Sequence, residues 1–205
     1  MRLSRRPFLA ALAAASAMPG TLGAQPADPR LTERAVGRPD APVTVQEFFS
    51  LTCSHCAAFH RETWPRVKRE LVETGTIRMV WHDFPLDRVA LIGAMVARSL
   101  PPERYEGFVG TLLANQDRWA FSRDAMEDLA RMAALAGMNR AQFDAVARDE
   151  ALARAILEQR ATAEREYNVQ ATPTFVFRGG SAPVVHSGNM PFERFEQRVE
   201  EARRA

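Results

Sequence analysis

The stretch from Asp87 to Tyr167 carries no strand signal, yet strand signals flank it on both sides. Upstream, Val43 to Phe49 is rich in β-branched and aromatic residues, follows a Pro-Asp-Ala-Pro turn and predicts a strand. Thr76 to His82 predicts a second. Between them Phe59, Thr63 and Val67 fall on one face of a helix ending near Gly75, with Pro65 expected to kink or restart it. Downstream, Thr174 to Phe177 and Val184 to His186, around Arg178-Gly179-Gly180, predict a hairpin. A last helix opens after Pro191, with Phe192, Phe195 and Val199 on one face. The intervening stretch is dominated by Ala, Leu, Arg and Glu, all good helix formers. Breaks at Pro101-Pro102, around Asn115 to Phe121 and at Gly137, with candidate N-caps Ser122 and Asn139, predict four or five helices. The order constrains the chain to an α/β architecture. A parallel pair from the strand-helix-strand start and an antiparallel pair from the hairpin are separated by a helical block.

The chain has two cysteines, Cys53 and Cys56, which excludes a disulfide-rich secreted scaffold. At 205 residues and 46% hydrophobic, it is long and apolar enough to bury a core without disulfides. The formal charge is +2, from 27 basic and 25 acidic residues. Three of the arginines, Arg2, Arg5 and Arg6, lie in the first 24 residues, which contain no acid. The remaining chain is almost balanced, so nothing marks a nucleic-acid-binding surface.

Residues 1–24 read as an export signal. The basic start precedes an apolar run from Phe8 to Met18, Pro19-Gly20 breaks it, and Leu22-Gly23-Ala24 offers a small residue for cleavage. The run is well short of the ~20 residues that span a bilayer. Ser4-Arg5-Arg6-Pro7-Phe8-Leu9 matches the twin-arginine export pattern; a general-secretion signal with adjacent arginines, or an uncleaved anchor, are the alternatives. Residues 25–30 read as a polar lead-in.

Cys53-Ser54-His55-Cys56 is the chemically informative motif. Two intervening residues put both thiols in the first turn of a helix, where they close a small, reversible disulfide. Thr52 or Ser50 is the candidate cap. Unpaired N–H groups and the helix dipole favour a Cys53 thiolate, below the ~8.5 of a free thiol. Cys56, one turn in, is expected to be more buried and less ionised. That asymmetry makes Cys53 the nucleophile and Cys56 the resolving thiol. His55 is expected to stabilise the thiolate and so make the disulfide more oxidising; the alternative is an exposed residue without effect.

Other readings of the pair remain. Zinc takes four ligands, or three and a water, and there is no second CxxC, so His55 or His60 would have to assist. Haem attachment needs His directly after the second cysteine, and residue 57 is Ala. A structural disulfide closing so short a loop constrains the unfolded chain little. His60 otherwise reads as a helix-surface residue, and His82 and His186 as structural. Trp64, Trp81, Trp119, Met126, Met132 and Met138 read as packing.

Glu47-Phe48-Phe49-Ser50 leading into Cys53-Ser54-His55-Cys56, then Phe84-Pro85-Leu86-Asp87, then Ala171-Thr172-Pro173-Thr174-Phe175, resemble the DsbA-like thiol:disulfide oxidoreductases, in particular the alphaproteobacterial type. The likeness runs over nearly the whole chain after the leader. It implies a thioredoxin-like fold with a helical domain inserted between the second and third strands. The thioredoxin domain would occupy residues 25–86 and 168–205, and the insertion 87–167. It also implies Cys53 as nucleophile, Cys56 as its partner, and a cis Thr172-Pro173 bond facing them, where the backbone holds an extended substrate. Glu47 matches a buried acid under the cysteine pair that relays a proton from Cys56. Ser54 departs from the family's usual proline, and Gln170-Ala171 lacks a glycine common in thioredoxin-like chains.

The function so implied is a periplasmic protein dithiol oxidase that passes the Cys53–Cys56 disulfide to reduced exported proteins through a mixed disulfide. A DsbB-type membrane oxidase would reoxidise it. It would need no cofactor, metal or nucleic acid, and would be a monomer. A reductase or isomerase of the same fold, a metal-binding protein using Cys53, Cys56 and a histidine, and a binding module with incidental cysteines are the rivals.

Overall fold

A computed structural model describes residues 28–205. The expected export signal and residues 25–27, half of the expected lead-in, lie outside the described residues. A five-stranded sheet organises the chain, in the order β1-β3-β2-β4-β5. The central strand β2 (Val43–Phe49) runs parallel to β3 (Ile77–Asp83) and antiparallel to β4 (Thr174–Arg178). The β4–β5 hairpin, with β5 at Val184–Ser187, forms as expected. β1 (Arg34–Val36) was not expected; its three residues are too few to show a periodicity, and it pairs antiparallel with the β3 edge.

Side chains of β2 alternate between the two sheet faces. Val43, Val45 and Phe49 join the larger core, and Phe48 joins a smaller one on the opposite face with Phe84, Ala163, Val169 and Val176. On the first face, α1 (Ser54–Glu62) and α9 (Phe192–Arg204) bring Phe59 and Phe195 against Phe175 of β4, with centroids 4.6 and 5.8 Å away. All three rings are fully buried, and burying each contributes about 1.5–3 kcal/mol.

Pro65 restarts the helix as expected. α1 ends at Glu62, and α2 (Trp64–Val67) takes Pro65 in its first turn, where its missing N–H costs nothing. A π-helical turn over Lys68–Val72 follows. Gly75, at φ +78°, lets the chain turn into β3.

The insertion between β3 and β4 holds α3 (Arg88–Ser99), α4 (Tyr105–Ala114), α5 (Gln116–Trp119), α6 (Ala125–Leu135), α7 (Arg140–Ala147) and α8 (Glu150–Tyr167). The expectation of four or five helices falls short by α5, a single turn inside the predicted break. Asn139 caps α7 in a reciprocal capping box with Gln142. Ser122 does not cap; its hydroxyl donates to Trp119 O, and Asp124 caps α6 instead. Gly137, at φ +93°, follows the end of α6 in the left-handed geometry that glycine tolerates best. Buried Asp83, at the end of β3, accepts from Arg98 of α3 and from Tyr105 of α4 at 3.1 Å, tying the insertion to the sheet.

Candidate active site

β2 delivers the chain into a short turn, and Cys53 occupies the N-cap position of α1 in an extended conformation. Its carbonyl accepts the first helical hydrogen bond, from Ala57 N–H at 3.1 Å. Neither predicted cap is used. The Ser50 and Thr52 hydroxyls lie 3.2 Å apart, Thr52 donates to Asp87 at 2.6 Å, and no side chain closes a cap bond to α1. The unpaired N–H groups of Cys56 and His55 instead favour an ionised Cys53 sulfur.

The two thiols, both free here, differ sharply. The Cys56 thiol, the Thr172 hydroxyl and those backbone N–H groups outweigh burial and bring Cys53 down to about 5. As a thiol, Cys53 reaches Thr172 O at 3.2 Å. That contact places the loop before β4 against the first cysteine, and the Thr172–Pro173 bond within it is cis. Cys56 is fully enclosed. Burial above all, then the neighbouring Cys53 and Glu47, push its thiol well above the ordinary range.

Beneath the pair, Glu47 has no solvent exposure. His60 Nε2 lies 3.1 Å from each of its carboxylate oxygens. This corrects the reading of His60 as a helix-surface residue: its side chain is only 6% exposed. The signal was present, because His60 lies one helical turn beyond Cys56, on the face that the cysteine buries. A buried acid also requires a partner.

His55 is exposed, and its imidazole makes no hydrogen bond among the described residues; it acts on Cys53 through its backbone N–H. Gln116 was missed. From α5 its buried amide donates to Leu51 O at 2.8 Å and to Cys53 O at 3.0 Å, joining the insertion to the cysteine turn. A polar residue inside a predicted break gave no cue to this. Of the five large apolar side chains that stand exposed among the described residues, Leu86 lies on the loop that returns to Ser50 and Phe121 just after α5.

His82 lies on the opposite sheet face, 4.8 Å from the Phe48 ring and 3.3 Å from the Gln46 amide. Trp64 packs edge-on against Trp81, and Trp119 is fully buried. Met138 is buried, and Met126 and Met132 pack against the core. Among the described residues no group of three or more His, Cys, Asp or Glu side chains is placed to hold a metal ion. No helix among them is long and apolar enough to cross a membrane.

Comparison with known proteins agrees with this geometry. The Thioredoxin family profile matches residues 30–201. Alpha-DsbA1 of Wolbachia pipientis is 26% identical and superposes with a TM-score of 0.77, over 84% of this chain and 92% of that one. BdbD of Bacillus subtilis, at 17% identity and a TM-score of 0.68 over 84% of this chain and 94% of its own, shares the fold. A Rickettsia conorii protein, provisionally named as a protein-disulfide oxidoreductase, is 24% identical over 171 residues, or 83% of this chain. The chain spans about 60% of that relative's length. With its helical insertion between β3 and β4, its CxxC at the start of α1 and its alphaproteobacterial relatives, the chain belongs to the thioredoxin family as a DsbA-like member.

Proposed function

We propose that this protein is an exported protein dithiol oxidase. The observation that carries the reading is the asymmetry of the two sulfurs, Cys53 held near 5 and Cys56 pushed far the other way. A substrate thiolate attacks Cys53 Sγ, and the Cys53–Cys56 bond breaks. Its electron pair goes to Cys56, which takes up a proton. A second substrate thiolate then attacks the substrate sulfur of the mixed disulfide and expels Cys53 as a stable thiolate. The substrate leaves with a new disulfide, and the enzyme is left reduced.

Stabilising that thiolate stabilises the reduced protein. At pH 7, two units above the Cys53 value, the effect raises the reduction potential by on the order of 60 mV. This favours donation of the disulfide over a reductase role on the same fold. The cis Thr172–Pro173 segment would align an extended substrate beside Cys53. Exposed Leu86 and Phe121 supply apolar contact for a partly unfolded protein chain. His55, exposed and next to Cys56 in sequence, would be open to contact by substrate. The leader points to the periplasm, and a DsbB-type membrane oxidase would restore the disulfide without a cofactor bound here.

The oxidised protein, mixed with a reduced two-cysteine peptide, should yield one peptide disulfide per protein consumed. Cys53→Ser should abolish the reaction, and Cys56→Ser, first charged at Cys53 as a mixed disulfide with an aromatic thiol, should exchange with a one-cysteine peptide, release the aromatic thiol and stop at the peptide mixed disulfide. Full activity of Cys53→Ser would overturn the mechanism.

A further inference from the structure

The proposed reaction leaves one step without a route. When substrate attacks Cys53, the leaving sulfur is Cys56, which has no solvent exposure and whose thiolate is strongly disfavoured by burial. A proton has to reach it as it leaves. Glu47 is the acid recorded beside it, but Glu47 too is sealed from solvent. Of the three groups, only His60 keeps any side-chain contact with water, at 6%, and its Nε2 lies 3.1 Å from both Glu47 oxygens.

We infer that His60 is a positioning residue that acts through Glu47, holding its carboxylate under Cys56 and connecting it to solvent for proton exchange. This rests on the disulfide-exchange reading above. As the Cys53–Cys56 bond breaks, the electron pair moves to Cys56 Sγ and one proton passes to it from the Glu47–His60 pair. The imidazole recovers that proton from water. When Cys56 later attacks Cys53 during reoxidation, the same proton travels the opposite way. Imidazole suits this task because it accepts a proton on one nitrogen while releasing one from the other.

The surroundings isolate the pair. The rings nearest His60 are Phe49 from β2, Phe59 from α1 and Trp64 from α2, none of which titrates. The flanking strands place Trp81 of β3 and Phe175 of β4 beside Glu47. Tyr105 of α4, bonded to Asp83, stands beyond Trp81 with ring centroids 6.2 Å apart. Cys53 and Glu47 are the neighbouring groups that act electrostatically on Cys56.

The test is single-turnover oxidation of a reduced two-cysteine peptide across pH 5–9, with wild type, His60→Gln and His60→Ala. Folding is checked by circular dichroism, and Cys53 ionisation by its alkylation rate. Gln keeps a donor for Glu47 but cannot pass a proton on. The expected result is a loss of at least about tenfold in His60→Gln, with a flattened pH profile and unchanged Cys53 ionisation. Added imidazole should restore rate to His60→Ala. A wild-type rate and pH profile in His60→Gln would overturn the inference and leave the oxidase reading standing. Should His60→Ala fail to fold, His60→Gln alone decides. A wild-type protein that oxidises no peptide overturns the oxidase reading itself.

Discussion

Two neighbouring residues of β2 each meet a histidine, on opposite faces of one sheet. Glu47 faces α1 and holds His60 under the cysteines, and Gln46 faces the other way and meets His82. The first pair includes a carboxylate sealed from solvent and touches water only through the 6% exposed His60 side chain. The second has a neutral partner and borders a cavity of about 410 Å³, lined also by Leu31, Phe48, Thr162 and Tyr167. Burial pushes His82 below its ordinary value, against the pull of Asp83. A partly buried histidine is therefore no mark of chemistry in itself. Its partner, and what lies above that partner, separate the site from the scaffold.

The largest expected difference between the two faces is in stability. Removing His60 as His60→Leu leaves a fully buried carboxylate without its partner and should cost about 3–5 kcal/mol by denaturant unfolding of the oxidised protein. His82→Leu removes a ring that only stacks and meets an amide, and should cost about 1–2 kcal/mol. Equal losses would erase the distinction.

Next comes Gln116→Leu, which strips a buried donor from Leu51 O and Cys53 O. It should cost about 1–3 kcal/mol by the same measurement. No loss would show that the insertion does not brace the cysteine turn.

The smallest effect concerns pH. The folded His82 value is depressed, so the unfolded chain binds the extra proton first as pH falls through 6.5. The native oxidised protein should then lose stability below pH 6.5, by at most about 1.4 kcal/mol per pH unit, until the folded His82 itself titrates. His186 is also depressed, so the difference between wild type and His82→Phe isolates His82. An unchanged slope in the variant would contradict a neutral, partly buried His82.

Much of this was legible in the sequence because the signals are local. β2, β3 and the hairpin follow from β-branched and aromatic runs, and the Pro65 restart from the ring's missing donor. The CxxC asymmetry follows from position in a helical first turn. What was not legible depends on contacts distant in sequence. β1 exists because the β3 edge offers partners to three residues. Gln116 reaches its carbonyls across 63 to 65 positions. Thr52 is drawn from the cap by Asp87, which lies 35 positions away. His60 falls between the two classes: its helical spacing from Cys56 was visible, but its carboxylate partner sits on another strand.

The central claim is that Cys53 is a stabilised thiolate and that this drives disulfide donation. Because its folded value lies below its unfolded one, the stabilisation of the reduced protein is complete above the ordinary thiol range near 9 and is lost as pH falls through about 5. The deciding measurement is the reduction potential of the Cys53–Cys56 pair as a function of pH, in glutathione buffers. The account predicts a fall of about 30 mV per pH unit between 5 and 9, steepening to about 59 mV below 5, and a value at pH 7 on the order of 60 mV less negative than the ~−270 mV of thioredoxin. A steady fall of about 59 mV per unit through pH 7, with a potential near ~−270 mV, would contradict it.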